Sequence, residues 1–274
     1  MPELPEVDAV KESLKKQILN KTIRQVDVTW PSMVKHPEDR KRFEQMLVHQ
    51  TIQDIDRKGK FLIFRLDDYA LVSHLRMEGK YFVYTEEEPK DKHTHVIFRF
   101  NDGSSLHYND VRKFGTMHLF DNGREHEEKP LSQLGPDPVE EHFTGEYMQK
   151  RLQKTTRRIK PVLLDQSVVA GFGNIYVDET LYRAKIHPER LSPSLSEEEV
   201  ERIVAEGKKV IREAMEAGGS TIRSYARSDG AQGEFQTRLF VYGKEGEPCP
   251  GCKRPIMKTK VGGRGTHLCY YCQE

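Results

Sequence analysis

The sequence has no long hydrophobic run, few cysteines and almost no net charge, and each absence excludes a class of protein. No apolar run among the 274 residues approaches the roughly 18–20 residues that span a bilayer, so we expect no membrane protein. The segment 1–16 has no apolar stretch between a basic start and a cleavage site, which argues against a secretory signal and predicts a cytoplasmic protein. Four cysteines are too few for a disulfide scaffold, and in a reducing compartment clustered cysteines more often hold a metal.

The charges nearly cancel in total, but they are segregated along the chain. There are 44 Lys and Arg residues against 43 Asp and Glu residues, a net charge of +1 that argues against a globally basic nucleic-acid binder. Residues 121–146 carry eight acidic and two basic side chains, whereas 151–185 and 235–274 each carry seven basic and three acidic ones. Such a chain can still present one basic face to a polyanion, although solvated charges that cluster by chance would give the same pattern.

Hydrophobic periodicity divides the chain into a β-rich part, a helical part and a short tail. Residues 5–19 predict a helix, because apolar residues recur at a spacing of three and four. Short β-branched and aromatic runs then predict an antiparallel sandwich or barrel, interrupted by a helix near 37–48. These runs are 26–30, 61–66, 70–74, 81–84, 96–100, 105–108 and 116–120.

A proline-rich linker at 134–138 precedes a helical pattern at 145–154, 159–166, 174–184 and 196–217. The segment 219–236 has little periodicity and predicts a loop, and the tail that follows holds all four cysteines. We therefore expect an α+β fold with three parts, divided as 1–134, 135–237 and 238–274.

The cysteine spacing is the strongest chemical signal that the residues give by themselves. Cys249 and Cys252 form one pair and Cys269 and Cys272 a second, with 16 residues between the pairs. This spacing is typical of a zinc ribbon, in which four thiolates close a tetrahedral site around one structural Zn²⁺. The alternative is four reduced cysteines without a metal. The predicted hairpin between the pairs carries basic residues, which could contact phosphates or only water.

A glycine-rich turn before the helix at 174–184 is a second, weaker signal. Gly171, Gly173 and Asn174 could present backbone N–H groups and the positive end of the helix dipole to a phosphate. Lys160, on the preceding predicted helix, favours this interpretation. The turn could equally be a tight connection between helices that Asn174 caps.

The start of the chain, MPELPEV, together with Asn174 in its GNIY turn and the C-terminal cysteine pairs, closely resembles the formamidopyrimidine-DNA glycosylase family. The resemblance covers nearly the whole chain, with Asp8 and Ala9 as small departures. It implies an N-terminal β-sandwich flanked by helices, then a helical domain with a helix–two-turn–helix motif and a zinc finger. It also implies a monomeric, nucleoid-associated bacterial repair enzyme that acts on double-stranded DNA.

The resemblance implies an enzyme that excises oxidised purines (8-oxoguanine and formamidopyrimidines) and cleaves the abasic site by β,δ-elimination. Its nucleophile would be Pro2 after removal of Met1. An α-amino group has a reference pKa of about 7.7–8.0 against about 10.4 for lysine, so far more of it is unprotonated at neutral pH. A secondary amine also condenses to a permanently charged iminium, which is an electron sink for elimination. The matching catalytic residues are Pro2, Glu3, Lys60 and Arg264.

The family's DNA-contacting positions can also be carried over to this chain. Met77, Arg112 and Phe114 match residues that fill the gap left by a flipped base, although an isolated Met or Phe beside a strand is more often a core residue. The remaining expected DNA contacts are His74, His93, Lys160 and Asn174. The expected base-recognition residues are Glu78, Ser220, Thr221 and Arg223.

Two other functions compete with this one. An enzyme of the same superfamily could prefer oxidised pyrimidines, but Leu4 and the intact set of Met77, Arg112 and Phe114 favour oxidised purines. A zinc-ribbon DNA-binding protein without catalysis would be favoured if Met1 were retained, because the proline nitrogen would then be an amide.

Overall fold

The computed structural model describes residues 1–86, 90–220 and 233–274. These residues form two compact units, one of residues 1–132 and a second of residues 133–220 and 234–274. No helix within the described ranges is long and apolar enough to cross a membrane. The expected α+β composition is confirmed.

The first unit contains two sheets, where the sequence pattern predicted an antiparallel sandwich or barrel and the family resemblance implied a sandwich. One sheet has the strand order β1-β7-β8-β6 and is antiparallel throughout. The other has the order β2-β9-β5-β4-β3, in which only the β2–β9 pair is parallel. The elements are α1 (Leu4–Ile18), β1 (Ile23–Val28), β2 (Val34–His36), α2 (Arg40–Leu47), β3 (Asp54–Lys58), β4 (Phe61–Arg65), β5 (Tyr69–His74), β6 (Lys80–Tyr84), β7 (Thr94–Phe100), β8 (Ser105–Asn109) and β9 (Thr116–Asp121).

One hydrophobic core joins both sheets and the two helices of this unit. Val7, Leu14 and Ile18 on the apolar face of α1 are fully buried in it, and Phe98 and Leu119 enter it from the two sheets. Because apolar burial is the main favourable term in folding, this core holds the start of α1 against a rigid sheet framework.

The second unit is helical and begins just before the predicted linker. Its helices are α3 (Gly145–Leu152), α4 (Ile159–Leu163), α5 (Asn174–Ala184) and α6 (Glu197–Glu216). A capping box closes the first turn of α6, since Ser196 Oγ accepts from Glu199 N and Glu199 Oε2 accepts from Ser196 N. After α6 the chain turns through Gly218 and Gly219, both with positive φ.

The cysteine tail belongs to the second unit and packs on its helices. Strands β10 (Met257–Val261) and β11 (Arg264–Leu268) form an antiparallel hairpin whose two-residue turn is Gly262 and Gly263. Both glycines have positive φ, which is the conformation that such a turn requires. The division into three domains at residues 134 and 237 remains an interpretation of the sequence.

Candidate active site and nucleic-acid contacts

The start of α1 fixes the backbone on either side of Glu3. The Glu3 N–H donates to Glu6 Oε2 at 2.8 Å, and the Glu3 side chain in turn caps the backbone N–H of Glu6. This reciprocal capping box satisfies two N–H groups that the helix leaves open. Pro2, Glu3 and Glu6 are all buried, whereas Met1 is 45% exposed. The peptide that joins Pro2 to Glu3 is therefore held in one orientation at the helix terminus.

Lys60 lies in the two-residue turn between β3 and β4. Gly59, which precedes it, has φ +56°, and Lys58 pairs with Phe61 across the hairpin. An ion pair between Arg57 Nε and Asp8 Oδ1 at 3.2 Å links this hairpin to α1. The buried Lys60 therefore belongs to the same packed group of elements as the start of α1.

His74, at the end of β5, is buried beside Lys60 and held in one tautomer. Its Nδ1 accepts the backbone N–H of Arg76 at 2.9 Å, so the neutral ring carries its proton on Nε2. Burial lowers the pKa of His74 to about 3, with further lowering by the charges of Arg76 and Lys60. At neutral pH the side chain is consequently an uncharged donor through Nε2.

Met77 and Phe114 lie on exposed turns, which argues against the alternative that they are core residues. Met77 is 37% exposed and Phe114 is 53% exposed. Both turns pack on one core side chain, because a Cβ atom placed on Gly79 or Gly115 would come within 2.1 Å or 1.8 Å of the Tyr108 hydroxyl. The two turns are therefore held close together by glycines that leave room for this ring.

The turn of residues 111–114 is built on Asp110, a residue that the sequence analysis missed. Its fully buried carboxylate accepts the backbone N–H groups of Arg112 at 3.0 Å and Gly115 at 2.8 Å. The Arg112 guanidinium lies 4.9 Å from the centroid of the Phe114 ring. An Asp that directly follows a strand often accepts N–H groups of the next turn, and this signal could have identified it.

The other expected contacts of this unit are less informative. The backbone carbonyl of His93 accepts from Asp110 N at 2.9 Å, and its side chain is half-buried. Glu78 is exposed beside Met77. Thr221 and Arg223 lie outside the described residues. Ser220 is the last described residue before them and is buried.

In the second unit, Asn174 joins the start of α5 to the cysteine hairpin. Its Nδ2 donates to the Gly265 carbonyl at 2.8 Å, while its Oδ1 has no hydrogen-bond partner among the described residues. Gly173, and not Asn174, is the N-cap residue, and no side chain caps the helix. The N-terminus of α5 and the exposed Arg264 beside Gly265 form a group that suits an anion.

Lys160 does not lie where the phosphate prediction requires it. The side chains of Lys160 and Asp178 are both 0% exposed, and their charged groups are 2.6 Å apart. Lys160 Nζ also donates to the Gly265 carbonyl at 3.0 Å and to Thr266 Oγ1 at 2.8 Å. Because an ammonium has three donors and no exposed surface remains, the expected direct DNA contact is replaced by a role in holding the hairpin against α4 and α5.

The four cysteines converge on one point and could hold one metal ion. Their ligand atoms all lie within 4.8 Å of one another, with Sγ–Sγ distances of 3.8 Å for Cys249–Cys272 and 3.4 Å for Cys252–Cys269. A tetrahedral site with metal–sulfur bonds of about 2.3 Å requires sulfurs about 3.8 Å apart, so the cluster fits such an ion.

Two side chains of α5 support the cysteine cluster, and the sequence analysis missed both. Tyr182 Oη lies 3.3 Å from Cys249 Sγ. Burial would raise the pKa of the Cys249 thiol, but this hydrogen bond and backbone N–H groups outweigh it and lower the pKa to about 6. The buried Glu179 carboxylate accepts the backbone N–H groups of Phe240, Val241 and Tyr242 at 2.9 Å each. The chain leading to the cysteines is thereby fixed to α5.

Comparison with known families accounts for most of the chain. The N-terminal domain of formamidopyrimidine-DNA glycosylase matches residues 1–117, and the H2TH domain of the same enzyme matches residues 134–226. A formamidopyrimidine-DNA glycosylase of Bacillus licheniformis is 56% identical over 274 residues, covering 100% of both chains. One of Shouchella clausii is 57% identical over 273 residues, covering 100% of this chain and 99% of the relative.

Solved structures of similar fold are DNA complexes. A complex between wild-type Lactococcus lactis Fpg and DNA containing N7-benzyl-Fapy-dG matches with a TM-score of 0.92 and 43% identity over 100% of both chains. A complex of the same organism's Fpg with DNA containing an abasic site matches with a TM-score of 0.92 and 43% identity over 99% of both chains. Since the family models and full-length relatives agree with the fold described above, the chain belongs to the formamidopyrimidine-DNA glycosylase family.

Proposed function

We propose that the protein excises oxidised purines, 8-oxoguanine and formamidopyrimidines, from duplex DNA and then cleaves the strand at the abasic site. The observation that carries the proposal is the buried start of α1, where the capping box holds the Pro2–Glu3 peptide. The relatives share the name formamidopyrimidine-DNA glycosylase, and the solved neighbours hold damaged or abasic-site DNA. As a DNA repair enzyme it would act as a monomer in the bacterial cytoplasm, associated with the nucleoid.

Base excision follows from the chemistry of Pro2 and Glu3. Once Met1 has been removed, the Pro2 nitrogen has a free electron pair and attacks C1′ of the damaged nucleotide. The bond between C1′ and the base breaks, and the base leaves with the proton that the Pro2 nitrogen gives up as it becomes an iminium. Glu3 donates a proton to the ring oxygen, which opens the sugar and leaves an iminium at C1′. The fixed orientation of the Pro2–Glu3 peptide would hold the nucleophile and the acid in a constant position relative to each other.

Strand cleavage uses the same iminium. Its positive charge acidifies the C2′ proton, which passes to water as β-elimination breaks the C3′–O bond. In a second, δ-elimination the C4′ proton passes to water as the C5′–O bond breaks. Lys60 and Arg264 would hold the phosphates that leave. His74 would assist as a neutral donor, because its Nδ1 is occupied by Arg76 N and its proton is therefore on Nε2. The two cations that hold the phosphates and the neutral donor would stabilise the negative charge on the leaving oxygens.

A damaged base inside a duplex must be flipped out before the amine can reach C1′. Met77 and Phe114 would fill the gap and unstack the neighbouring pair, since both apolar side chains are exposed on turns. Arg112 would donate to the orphaned base on the opposite strand. Glu78, Ser220, Thr221 and Arg223 remain the proposed base-recognition residues, and His93 a proposed backbone contact.

The second unit would hold the DNA backbone. The start of α5, Asn174 and Arg264 offer the donors that bind phosphates at a helix N-terminus. Four cysteines with this geometry suit one structural Zn²⁺, because a site closed by four sulfurs leaves no position for substrate. The ion would fix the hairpin that carries Arg264, and Lys160 would hold the same hairpin through its bonds to Gly265 and Thr266.

A base-release assay on two duplexes tests this function. We expect release from an 8-oxoguanine·cytosine duplex and at least about a hundredfold loss in Glu3→Gln, the usual size of a general-acid effect. Glu12→Gln, a change of the same kind on an exposed part of α1, should release base at the wild-type rate. Faster release from a thymine glycol duplex would indicate the pyrimidine-specific activity. Tight binding without release, in protein whose Met1 has been removed, would indicate a non-catalytic DNA-binding protein.

A further inference from the structure

The turn that presents Arg112 and Phe114 contains a residue in an unfavourable conformation. Lys113 has φ +59°, in the left-handed region that favours glycine. Its backbone N–H donates to the Asp110 carbonyl at 3.2 Å, which closes the turn. A residue with a side chain persists in such a conformation only when its surroundings fix it. The contacts of the Lys113 side chain are therefore part of what shapes this turn.

The Lys113 side chain is held by Trp30, the one tryptophan of the sequence. Lys113 Nζ lies 3.9 Å from the centroid of the Trp30 ring. Among the aromatic side chains, tryptophan forms the strongest cation–π contacts. Arg112 and Phe114, the neighbours of Lys113 on either side, contact each other. Lys113 is thus attached to Trp30, while Arg112 and Phe114 beside it remain available for contacts with DNA.

Trp30 and the turn are anchored to the same stretch of chain. The Thr29 N–H donates to the His95 carbonyl at 2.8 Å, next to Trp30. The His95 ring bonds the Asp110 carbonyl at 2.8 Å from the other side. Strand β7, which contains His95, therefore sets the spacing between Trp30 and the turn. The indole and the ammonium meet through a rigid framework, and not through two flexible segments.

We propose that Trp30 is a positioning residue for base flipping: by holding Lys113, it fixes the turn that presents Arg112 and Phe114 to DNA. This inference rests on the proposed function, because it assigns Trp30 to the flipping step of that reaction. The ring itself does not touch the reacting atoms. It acts through Lys113, and its loss lets the turn leave the conformation in which Phe114 can wedge between bases.

The expected effect is moderate and selective. A cation–π contact at a partly exposed site is lost in Trp30→Leu, which corresponds to about a two- to fivefold fall in kcat for 8-oxoguanine release. Cleavage of a preformed abasic site should stay within about twofold of wild type, because no stacked base has to be displaced there. Trp30→Phe keeps an aromatic face and should recover most of the loss. A general loss of stability would slow both reactions alike.

A second variant removes the ammonium of Lys113, the other partner in the cation–π contact with Trp30. Lys113→Met should slow base release, and Trp30→Leu should add little to it in the double variant, because both changes break one contact. Lys21→Met is the matched control: it removes the same charge from an ammonium 5.7 Å from the Phe100 ring in the same unit. Since position 30 is the one tryptophan, Lys113→Met should also change the tryptophan emission of the free protein, and Lys21→Met should leave it unchanged.

Three outcomes would overturn the inference. Trp30→Leu could release 8-oxoguanine at the wild-type rate, its effect could add fully to that of Lys113→Met, or it could slow abasic-site cleavage as much as base release. In each case an active wild type would leave the proposed function standing. A wild type that releases no oxidised purine would overturn the proposed function and this inference together.

Discussion

The buried pair of Lys160 and Asp178 gives a sharp prediction about stability. Replacing Asp178 by Ala leaves a fully buried ammonium without its counter-ion, and it also removes the acceptor of the His267 N–H, which lies 2.9 Å from Asp178 Oδ2. Removing one partner of a buried ion pair costs about 3–5 kcal/mol, since the remaining charge has lost that counter-ion in a site without water. At about 2 °C per kcal/mol for a chain of this size, the unfolding midpoint should fall by about 6–10 °C.

Differential scanning calorimetry of matched variants measures this effect. The control is Glu146→Ala, which breaks an ion pair with Lys150 whose side chains are 78% and 69% exposed. Because exposed pairs contribute little, this change should leave the midpoint nearly unaltered. The double variant Lys160→Met with Asp178→Leu should recover part of the loss, since an apolar pair of similar volume has no buried charge to desolvate, although the His267 N–H still lacks its acceptor. A midpoint for Asp178→Ala equal to that of the control, or a double variant less stable than Asp178→Ala, would refute the reasoning.

Three further results are expected. Burial holds the folded-state pKa of His74 near 3, below the usual value of 6.5 for the unfolded chain. As the pH falls below 6.5, the unfolded chain binds a proton at His74 and the folded protein does not, so the free energy of unfolding decreases. By pH 5 this decrease in the free energy of unfolding is about 2 kcal/mol. Calorimetry should therefore find that wild type loses more stability than His74→Gln between pH 8 and pH 5. Chelation of the metal should unfold the cysteine hairpin and weaken DNA binding measured by fluorescence anisotropy, and unchanged affinity in metal-free protein would exclude a structural metal. The slope of log Kd against log salt should fall by about 1 in Arg264→Ala and stay unchanged in the double variant Lys160→Met with Asp178→Leu, which leaves no buried charge unpaired. Equal effects of the two changes would indicate that Lys160 contacts a phosphate.

Much of the fold follows from local patterns, but two strands depend on their partners. The sequence predicts α1, α6 and seven of the nine strands described in the first unit. It misses β3 (Asp54–Lys58), because the strand has one apolar residue among charged ones and forms through its pairing with β4. It also misses β2 (Val34–His36), three residues long, which pairs in parallel with β9. Neither has the length or alternation that a single-sequence pattern requires.

The cysteine cluster was predictable because its spacing is itself a geometric constraint. The buried acids Asp178 and Glu179 were not, since in a chain with 32% charged residues an isolated carboxylate has no sequence feature that distinguishes it from a solvated one. For the same reason the sequence could not show that Lys160 is buried. The pairing of Lys160 with Asp178 is a property of how α4, α5 and the hairpin pack.

The identity of the nucleophile is the central claim, and one experiment tests it directly. The protein is incubated with a duplex that contains one 8-oxoguanine opposite cytosine, sodium borohydride reduces any iminium to a stable amine, and mass spectrometry maps the crosslinked peptide. The account predicts an adduct on the nitrogen of Pro2, in protein that has lost Met1. An adduct on a lysine such as Lys60, or no adduct from Met1-free protein that binds the duplex tightly, would contradict it.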